Sequence, residues 1–133
     1  MQGKIELSAL RLMKARECLN DSRLLMENGG YKSSMNRSYY AVFHSLRAVL
    51  VFSDYDSKKH SGIISEFRRI HIKNGDFSEQ LSKIIGSQFD LRSLSDYDDF
   101  FSASEETAEK CFDEAKYVLS EIEKFLSEKY KVE

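Results

Sequence analysis

The chain contains no proline, only six glycines and only two cysteines among its 133 residues. Proline and glycine interrupt helices, so their scarcity leaves room for long regular ones. No apolar run approaches the roughly 18 residues that a membrane-spanning helix needs, so no membrane span is expected. The first six residues lack the apolar core of a secretory signal, which predicts a cytoplasmic protein.

The cysteines and the charge exclude further classes. Cys18 and Cys111 have no CxxC partner and no histidine at ligand spacing, which indicates buried thiols and argues against a zinc site. A formal net charge of -2 argues against general binding of polyanions. Positive charge is concentrated in residues 58–73, which include a single acid, Glu66, and these basic residues: Lys58, Lys59, His60, Arg68, Arg69, His71 and Lys73. This segment is either a patch that meets phosphate or a solvated helix face of mixed charge.

Helical periodicity predicts an all-α protein, an antiparallel bundle of four or five helices in one domain over residues 1–133. The predicted helices cover residues 5–28, 33–52, 58–72, 77–94 and a last segment that starts after Ser102 or Ser104. In the first helix, large residues recur every seven positions and small ones follow three positions later, a pattern that favours close helix packing. Asp76 and Glu79 resemble a capping box for the fourth helix.

Residues 36–50, NRSYYAVFHSLRAVL, place polar groups within an apolar helical pattern. Arg37 and His44 are seven residues apart, so they lie on nearly the same side of a helix, about 10 Å apart along its axis. Tyr39 and Tyr40 are adjacent and cannot both face the core. One is expected to pack, and the other to reach a hydrogen-bond partner or to stack on a base.

The three histidines, His44, His60 and His71, show none of the spacings of a metal site. The chain also lacks a GxSxG elbow and a glycine-rich phosphate loop. Metal-dependent and acyl-enzyme catalysis are therefore poor hypotheses, and no cofactor is expected. The chemistry that remains is an arginine acting with a histidine or a tyrosine on a phosphate.

Residues 36–50 resemble the signature helix of HEPN domains (higher eukaryotes and prokaryotes nucleotide-binding). The resemblance continues through KHSGII at 59–64 with Phe67, KNG at 73–75 and LRSLSDY at 91–97. Order and spacing are similar over roughly residues 5–126. The resemblance implies a bundle of four or five helices that is usually dimeric.

The resemblance also implies a function. Many HEPN proteins are metal-independent endoribonucleases, and many small ones are encoded beside a minimal nucleotidyltransferase as a toxin and antitoxin pair. The implied partners are a second copy of the chain, a minimal nucleotidyltransferase, and RNA or a nucleotide. In the family's active motif an arginine precedes a histidine by a short spacing on a late helix. The arginine stabilises charge on the phosphate, and the histidine moves the proton of the attacking 2′-hydroxyl.

This sequence departs from that motif. Arg92 matches the arginine, but Tyr97 stands where the histidine is expected. Tyrosine side chains titrate near pH 10, so a tyrosine acting as a base at pH 7 carries a penalty of roughly 4 kcal/mol. A weak nuclease, a nuclease that uses other residues, and a protein without nuclease activity all remain open.

Arg37 and His44 satisfy the same spacing on an earlier helix. They are either a second or replacement catalytic pair, or structural residues. In the structural alternative Arg37 contacts Asp96, because a buried arginine needs a carboxylate, and His44 occupies a satisfied buried position.

The candidate catalytic residues are Arg92, Tyr97, Arg37 and His44. The candidate residues for binding RNA or a nucleotide are Asn36, Tyr40, Lys59, His60 and Asp96. Three functions compete: an RNA-directed nuclease or toxin, a non-catalytic module that binds a nucleotide, RNA or a protein partner, and a helical dimer without a ligand. The sequence favours a HEPN protein that binds RNA or a nucleotide and works with a nucleotidyltransferase.

Overall fold

The computed structural model describes residues 1–133 and contains helices but no strands. The five α-helices are α1 (Gln2–Glu27), α2 (Tyr31–Leu50), α3 (His60–Phe67), α4 (Glu79–Tyr97) and α5 (Glu105–Tyr130). A 3-10 turn, Val51–Ser53, follows α2, and a π-helical turn, Arg68–Ile72, continues α3. The prediction of an all-α bundle is confirmed. None of the helices combines the length and the apolar character needed to cross a bilayer.

Helix α2 occupies the centre of the bundle and packs against α1, α3, α4 and α5. Every helix contributes at least one fully buried aliphatic side chain to the main core, for example Leu12, Leu46, Ile63, Ile85 and Ile122. Burying one such side chain is worth about 2 kcal/mol. Because α2 lies between the other helices, its polar side chains are placed where α3 and α4 can reach them.

The small residues of α1 are used for the contact with α2. Ser8 and Ala15 are fully buried, and the Ser8 hydroxyl donates to the Ala48 carbonyl at 2.8 Å. The Ser22 and Ser34 hydroxyls donate to each other's backbone carbonyls at 2.9 and 2.8 Å. The predicted close approach is therefore made inside one chain, and this stripe offers no surface for a dimer.

Four predicted helix starts shift by two or three residues, and the shifts of α4 and α3 have identifiable causes. The hydroxyl of Ser78, not the carboxylate of Asp76, caps α4 by accepting from the Leu81 amide at 3.2 Å. Asp76 instead accepts from Asn74 and lies 2.9 Å from His71 Nδ1, so its Oδ2 is used within the preceding turn. Helix α3 begins at residue 60 rather than 58, because the residues before it form a loop.

The start of α5 agrees with one of the two predicted caps. The Ser104 hydroxyl accepts from the Thr107 amide at 3.1 Å. Glu105 and Glu106 occupy the first turn, where negative charge suits the positive end of the helix.

Candidate functional site

Two adjacent tyrosines of α2 join α3 and α4. Tyr39 is 1% exposed and Tyr40 is half-buried. The hydroxyl oxygen of Tyr39 lies 2.7 Å from Nδ1 of His60, the first residue of α3. The hydroxyl of Tyr40 accepts a hydrogen bond from Nη2 of Arg92, on α4, at 3.2 Å. The pair therefore brings together an arginine and a histidine that are 32 positions apart in the sequence.

Arg92 is held by aromatic rings and by one acid. Its Cζ lies 5.4 Å from the ring centre of Tyr39 and 5.6 Å from that of Tyr40. Its Nε is buried 3.1 Å from Oδ2 of Asp96 but is not directed to form a hydrogen bond. Its Nη1 makes no hydrogen bond within the protein and is accessible to solvent. The guanidinium is thus fixed while one of its donors remains free for a ligand.

His60 presents one ring nitrogen to the protein and the other to solvent. Its ring stacks on Phe43 with centroids 4.0 Å apart, and Nδ1 is paired with Tyr39. Nε2 makes no hydrogen bond and is not buried. Burial lowers the pKa of His60 from its ordinary value, and the charges of Arg92 and Arg47 lower it further. The ring is therefore mostly neutral at pH 7, with Nε2 accessible to solvent.

The buried hydroxyl of Tyr39 supports this state. Burial raises the pKa of Tyr39 far above its ordinary value, and the nearby charge of Arg92 offsets only part of that effect. The hydroxyl therefore stays protonated and can accept from, or donate to, Nδ1 of His60. When it accepts, Nδ1 carries the proton and the lone pair of Nε2 is available as a base.

An open cleft of about 570 Å³ lies beside His60. Its lining consists of Phe43, Arg47, Asp56, Ser57, Lys58 and His60. Burial raises the pKa of Asp56, but hydrogen bonds from Arg47 and from the Ser57 amide outweigh burial and leave the pKa below its ordinary value. Asp56 is therefore ionised at pH 7 and partly neutralises the cations of the cleft.

Gly62 allows the loop before α3 to approach the first turn of that helix. A Cβ at this position would lie 3.0 Å from Oγ of Ser57 and 3.1 Å from the hydroxyl of Tyr55. The Ser57 hydroxyl accepts from the Lys59 amide at 3.1 Å, just before His60. The absence of a side chain at Gly62 thus lets the loop pack closely against the helix that carries His60.

The structure separates Tyr97 from this cluster. Tyr97 is the last residue of α4, and it is 87% exposed, with no side-chain hydrogen bond and no aromatic contact. Lys59 is exposed immediately before α3. Among the predicted residues, His60, Tyr40, Asp96 and Arg92 are brought together, whereas Tyr97 is not.

The predicted contact between Arg37 and Asp96 is wrong. Nε and Nη2 of Arg37 donate to the side-chain oxygen of Asn36 at 3.2 and 2.8 Å, and its Cζ lies 4.9 Å from the ring centre of Tyr40. Asp96 is paired with Arg92, four residues earlier on its own helix. The aromatic face and the amide take the place of the expected carboxylate.

The expectation of a satisfied buried position for His44 is also wrong. Its Nδ1 is buried without a hydrogen-bond partner. Burial lowers the pKa of His44 to about 4, with help from the charges of Arg47 and Lys14. The ring is therefore neutral at pH 7, and one of its polar atoms is unsatisfied.

Sequence reasoning missed three features of the site. It placed His60 among ligand-binding residues without its link to Tyr39, and it did not single out Arg47 or Asp56. Arg47 Nη2 and Asp56 Oδ2 form an ion pair at 3.0 Å across the turn that follows α2. The basic start of segment 58–73 was the only signal in the sequence, because these contacts depend on how the loop folds back.

An all-α bundle with an arginine, a histidine and two tyrosines between its second, third and fourth α-helices agrees with the family suggested by residues 36–50. The sequence model of that family, described as HEPN domain, matches residues 8–125, and the chain belongs to it. The chain is 34% identical over 115 residues to a "UPF0332 protein" of Thermotoga maritima, with 86% of this chain and 87% of the relative covered. It is 35% identical over 114 residues to "Putative toxin MJ0605" of Methanocaldococcus jannaschii, with 86% and 84% covered.

Proposed function

We propose that this protein is an RNA-binding HEPN protein of the toxin–antitoxin type that cleaves RNA without a metal, with Arg92 and His60 at its site. The observation that carries the proposal is that Arg92 and His60 contact the same pair of tyrosines on α2. The family and the name of the Methanocaldococcus relative support the toxin class. His60 takes the role that the motif resemblance assigned to position 97.

The proposed reaction is the transfer of a phosphodiester to the neighbouring 2′-oxygen. Nη1 of Arg92 binds a non-bridging phosphate oxygen and stabilises its growing charge. Nε2 of His60 accepts the proton of the 2′-hydroxyl, whose oxygen attacks phosphorus. The bond from phosphorus to the 5′-oxygen breaks, and that oxygen takes a proton from the imidazolium or from water. The products are a 2′,3′-cyclic phosphate end and a 5′-hydroxyl end.

Arg92→Ala tests the phosphate contact. We expect the variant to lose measurable affinity for a single-stranded oligoribonucleotide and to lose cleavage in the presence of EDTA. Arg23→Ala is the matched control, because Arg23 is an exposed α1 residue paired only with Asn20 and Glu27. Binding that survives Arg92→Ala at wild-type strength would contradict the proposal.

A non-catalytic binding module is the second candidate. The observation that favours it is that Tyr97, at the position of the motif histidine, is exposed, which leaves α4 without a histidine beside Arg92. The two candidates differ in one measurement. Wild-type protein that binds the oligoribonucleotide through Arg92 but leaves it uncut after prolonged incubation would establish the binding module.

The proposal includes a homodimer and a minimal nucleotidyltransferase as the protein partner, in the cytoplasm. Large apolar side chains are exposed at the end of α4 and just beyond it, namely Leu94, Tyr97 and Phe100. Adjacent exposed apolar side chains of this kind support contact with another protein. Light scattering that finds only a 15.4 kDa species would contradict the homodimer.

A further inference from the structure

A groove between α3 and α4 starts next to the proposed site. It has a volume of about 430 Å³, and Ser61 and Phe89 are in its lining. Ser61 follows His60, and the ring of Phe89 packs against Tyr39 with centroids 6.2 Å apart. Arg68 lies in the same groove, eight residues beyond His60, which corresponds to about 12 Å along a helix.

Arg68 is positioned by α4 and is not neutralised by an acid. Its Nε donates to the hydroxyl of Ser82 at 3.0 Å, and its Nη2 donates to the Ser82 carbonyl at 2.9 Å. It forms no ion pair, whereas its neighbour Arg69 pairs with Glu66. Nη1 of Arg68 makes no hydrogen bond and is accessible to solvent. The groove therefore contains a fixed positive charge with a free donor.

Two local features of the backbone accompany this arginine. A Cβ at Gly86 would lie 2.8 Å from Nη2 of Arg68, so the guanidinium occupies space that the side chain of any other amino acid at position 86 would need. Arg68 also begins the π-helical turn that follows α3, and such turns are frequent at functional sites. The close approach depends on a glycine inside a helix, where glycine is otherwise unfavourable.

We propose that Arg68 binds a second phosphate of the RNA chain whose reacting phosphate is bound by Arg92. The inference rests on the proposed function and makes the substrate an oligonucleotide that extends along the α3–α4 groove. Arginine suits this role because it stays charged and binds phosphate oxygens with parallel hydrogen bonds. One acid, Asp90, also lines the groove. It is exposed and unpaired, so salt and water screen its repulsion of a phosphate.

The test measures the affinity of an oligouridylate of about eight nucleotides as a function of salt concentration. The binding constant K falls as the salt concentration rises. Losing one phosphate contact to a single strand makes the negative slope of log K against log salt shallower by about 0.7. We expect Arg68→Gln to show this shallower salt dependence, with affinity about tenfold lower at low salt. Arg69→Gln is the matched control and should behave as the wild type does. The dinucleotide UpU, which carries a single phosphate, should bind Arg68→Gln and the wild type equally.

Two further variants leave Arg68 in place. Gly86→Ala keeps the charge but displaces the guanidinium, so it should weaken oligouridylate binding and leave UpU binding unchanged. Asp90→Asn should strengthen oligouridylate binding at low salt, where the repulsion between Asp90 and a phosphate is least screened, and this keeps the inference testable if Arg68→Gln unfolds. Thermal unfolding of each variant checks the fold.

The outcomes distinguish this inference from the proposed function. An unchanged salt slope in Arg68→Gln, or an equal loss of UpU and oligouridylate binding, would overturn the second phosphate site. Arg92 would then remain the one proposed phosphate-binding arginine. Failure of the wild type to bind either ligand would contradict the proposed function and remove the inference with it.

Discussion

His60 and His44 both lie beside the ring of Tyr40, with centroids 5.6 and 6.0 Å from it, but the surrounding protein treats them differently. His60 pairs Nδ1 with a buried hydroxyl and exposes Nε2. His44 buries Nδ1 without a partner among several cations. Two histidines next to one aromatic ring can therefore be suited to proton transfer in one case and not in the other.

The cause is the location of each residue in the fold. His60 begins a short helix at the edge of a cleft, where one side of its ring meets solvent. His44 lies within α2, where α1 and α2 surround it with Arg11, Lys14, Arg37 and Arg47. Protonation of His44 would add a fifth positive charge to this group. Arg37 and His44 have the sequence spacing of the family motif. Arg92 and His60 do not have that spacing, but Nε2 of His60 is accessible to solvent.

The largest effect that separates the two histidines is expected in cleavage. His60→Gln should reduce cleavage about 10²–10⁴-fold while oligoribonucleotide binding changes little, because a general base contributes that much to the rate. His44→Gln is the matched substitution and should retain most of the cleavage activity. The measurement is the single-turnover rate in EDTA. The reverse pattern, with His44→Gln inactive and His60→Gln active, would move the site to α2.

The next effect concerns stability. The pKa of His44 is lowered to about 4 in the folded protein, against an ordinary value near 6.5. The unfolded chain therefore binds more protons between these values, so the free energy of unfolding should fall as the pH drops from about 6.5 to 4, by at most about 3 kcal/mol from this residue.

His44→Gln should remove that part of the pH dependence. Urea unfolding at several pH values measures the free energy of unfolding of the wild type and of the variant. Subtracting one curve from the other cancels the contribution of His71, whose pKa is also lowered by burial. Parallel stability curves for the two proteins would show that His44 titrates normally.

The smallest effect is expected at Tyr97. This residue is 87% exposed and its hydroxyl forms no hydrogen bond, so Tyr97→Phe should leave both cleavage and stability unchanged. Tyr39→Phe is the contrasting change, because it removes the hydrogen bond to His60 and should slow cleavage without loss of binding. A Tyr97→Phe variant that loses cleavage would return the site to the α4 motif.

Local pattern was enough to predict much of the fold and part of the site. Repeats of apolar residues, the absence of proline and the serine before α5 indicated the helices, because helix formation depends on residues within a few positions of one another. Arg92 was predicted from the LRSLSDY segment, and it does occupy the cluster. The position of the α4 cap was missed, because Ser78 and Asp76 both have side chains that suit a helix start.

The sequence by itself determined the helical bundle, the family and the presence of Arg92 on the fourth helix. Only the tertiary structure decided which histidine accompanies that arginine, since Tyr39, His60 and Arg92 come from three helices and meet through contacts that no spacing rule describes. It also decided that Arg37 lies against an amide and an aromatic ring, and that Nδ1 of His44 is buried near other cations. Burial, charge and hydrogen bonding at these positions depend on residues distant in the chain, so they appear only when the helices pack.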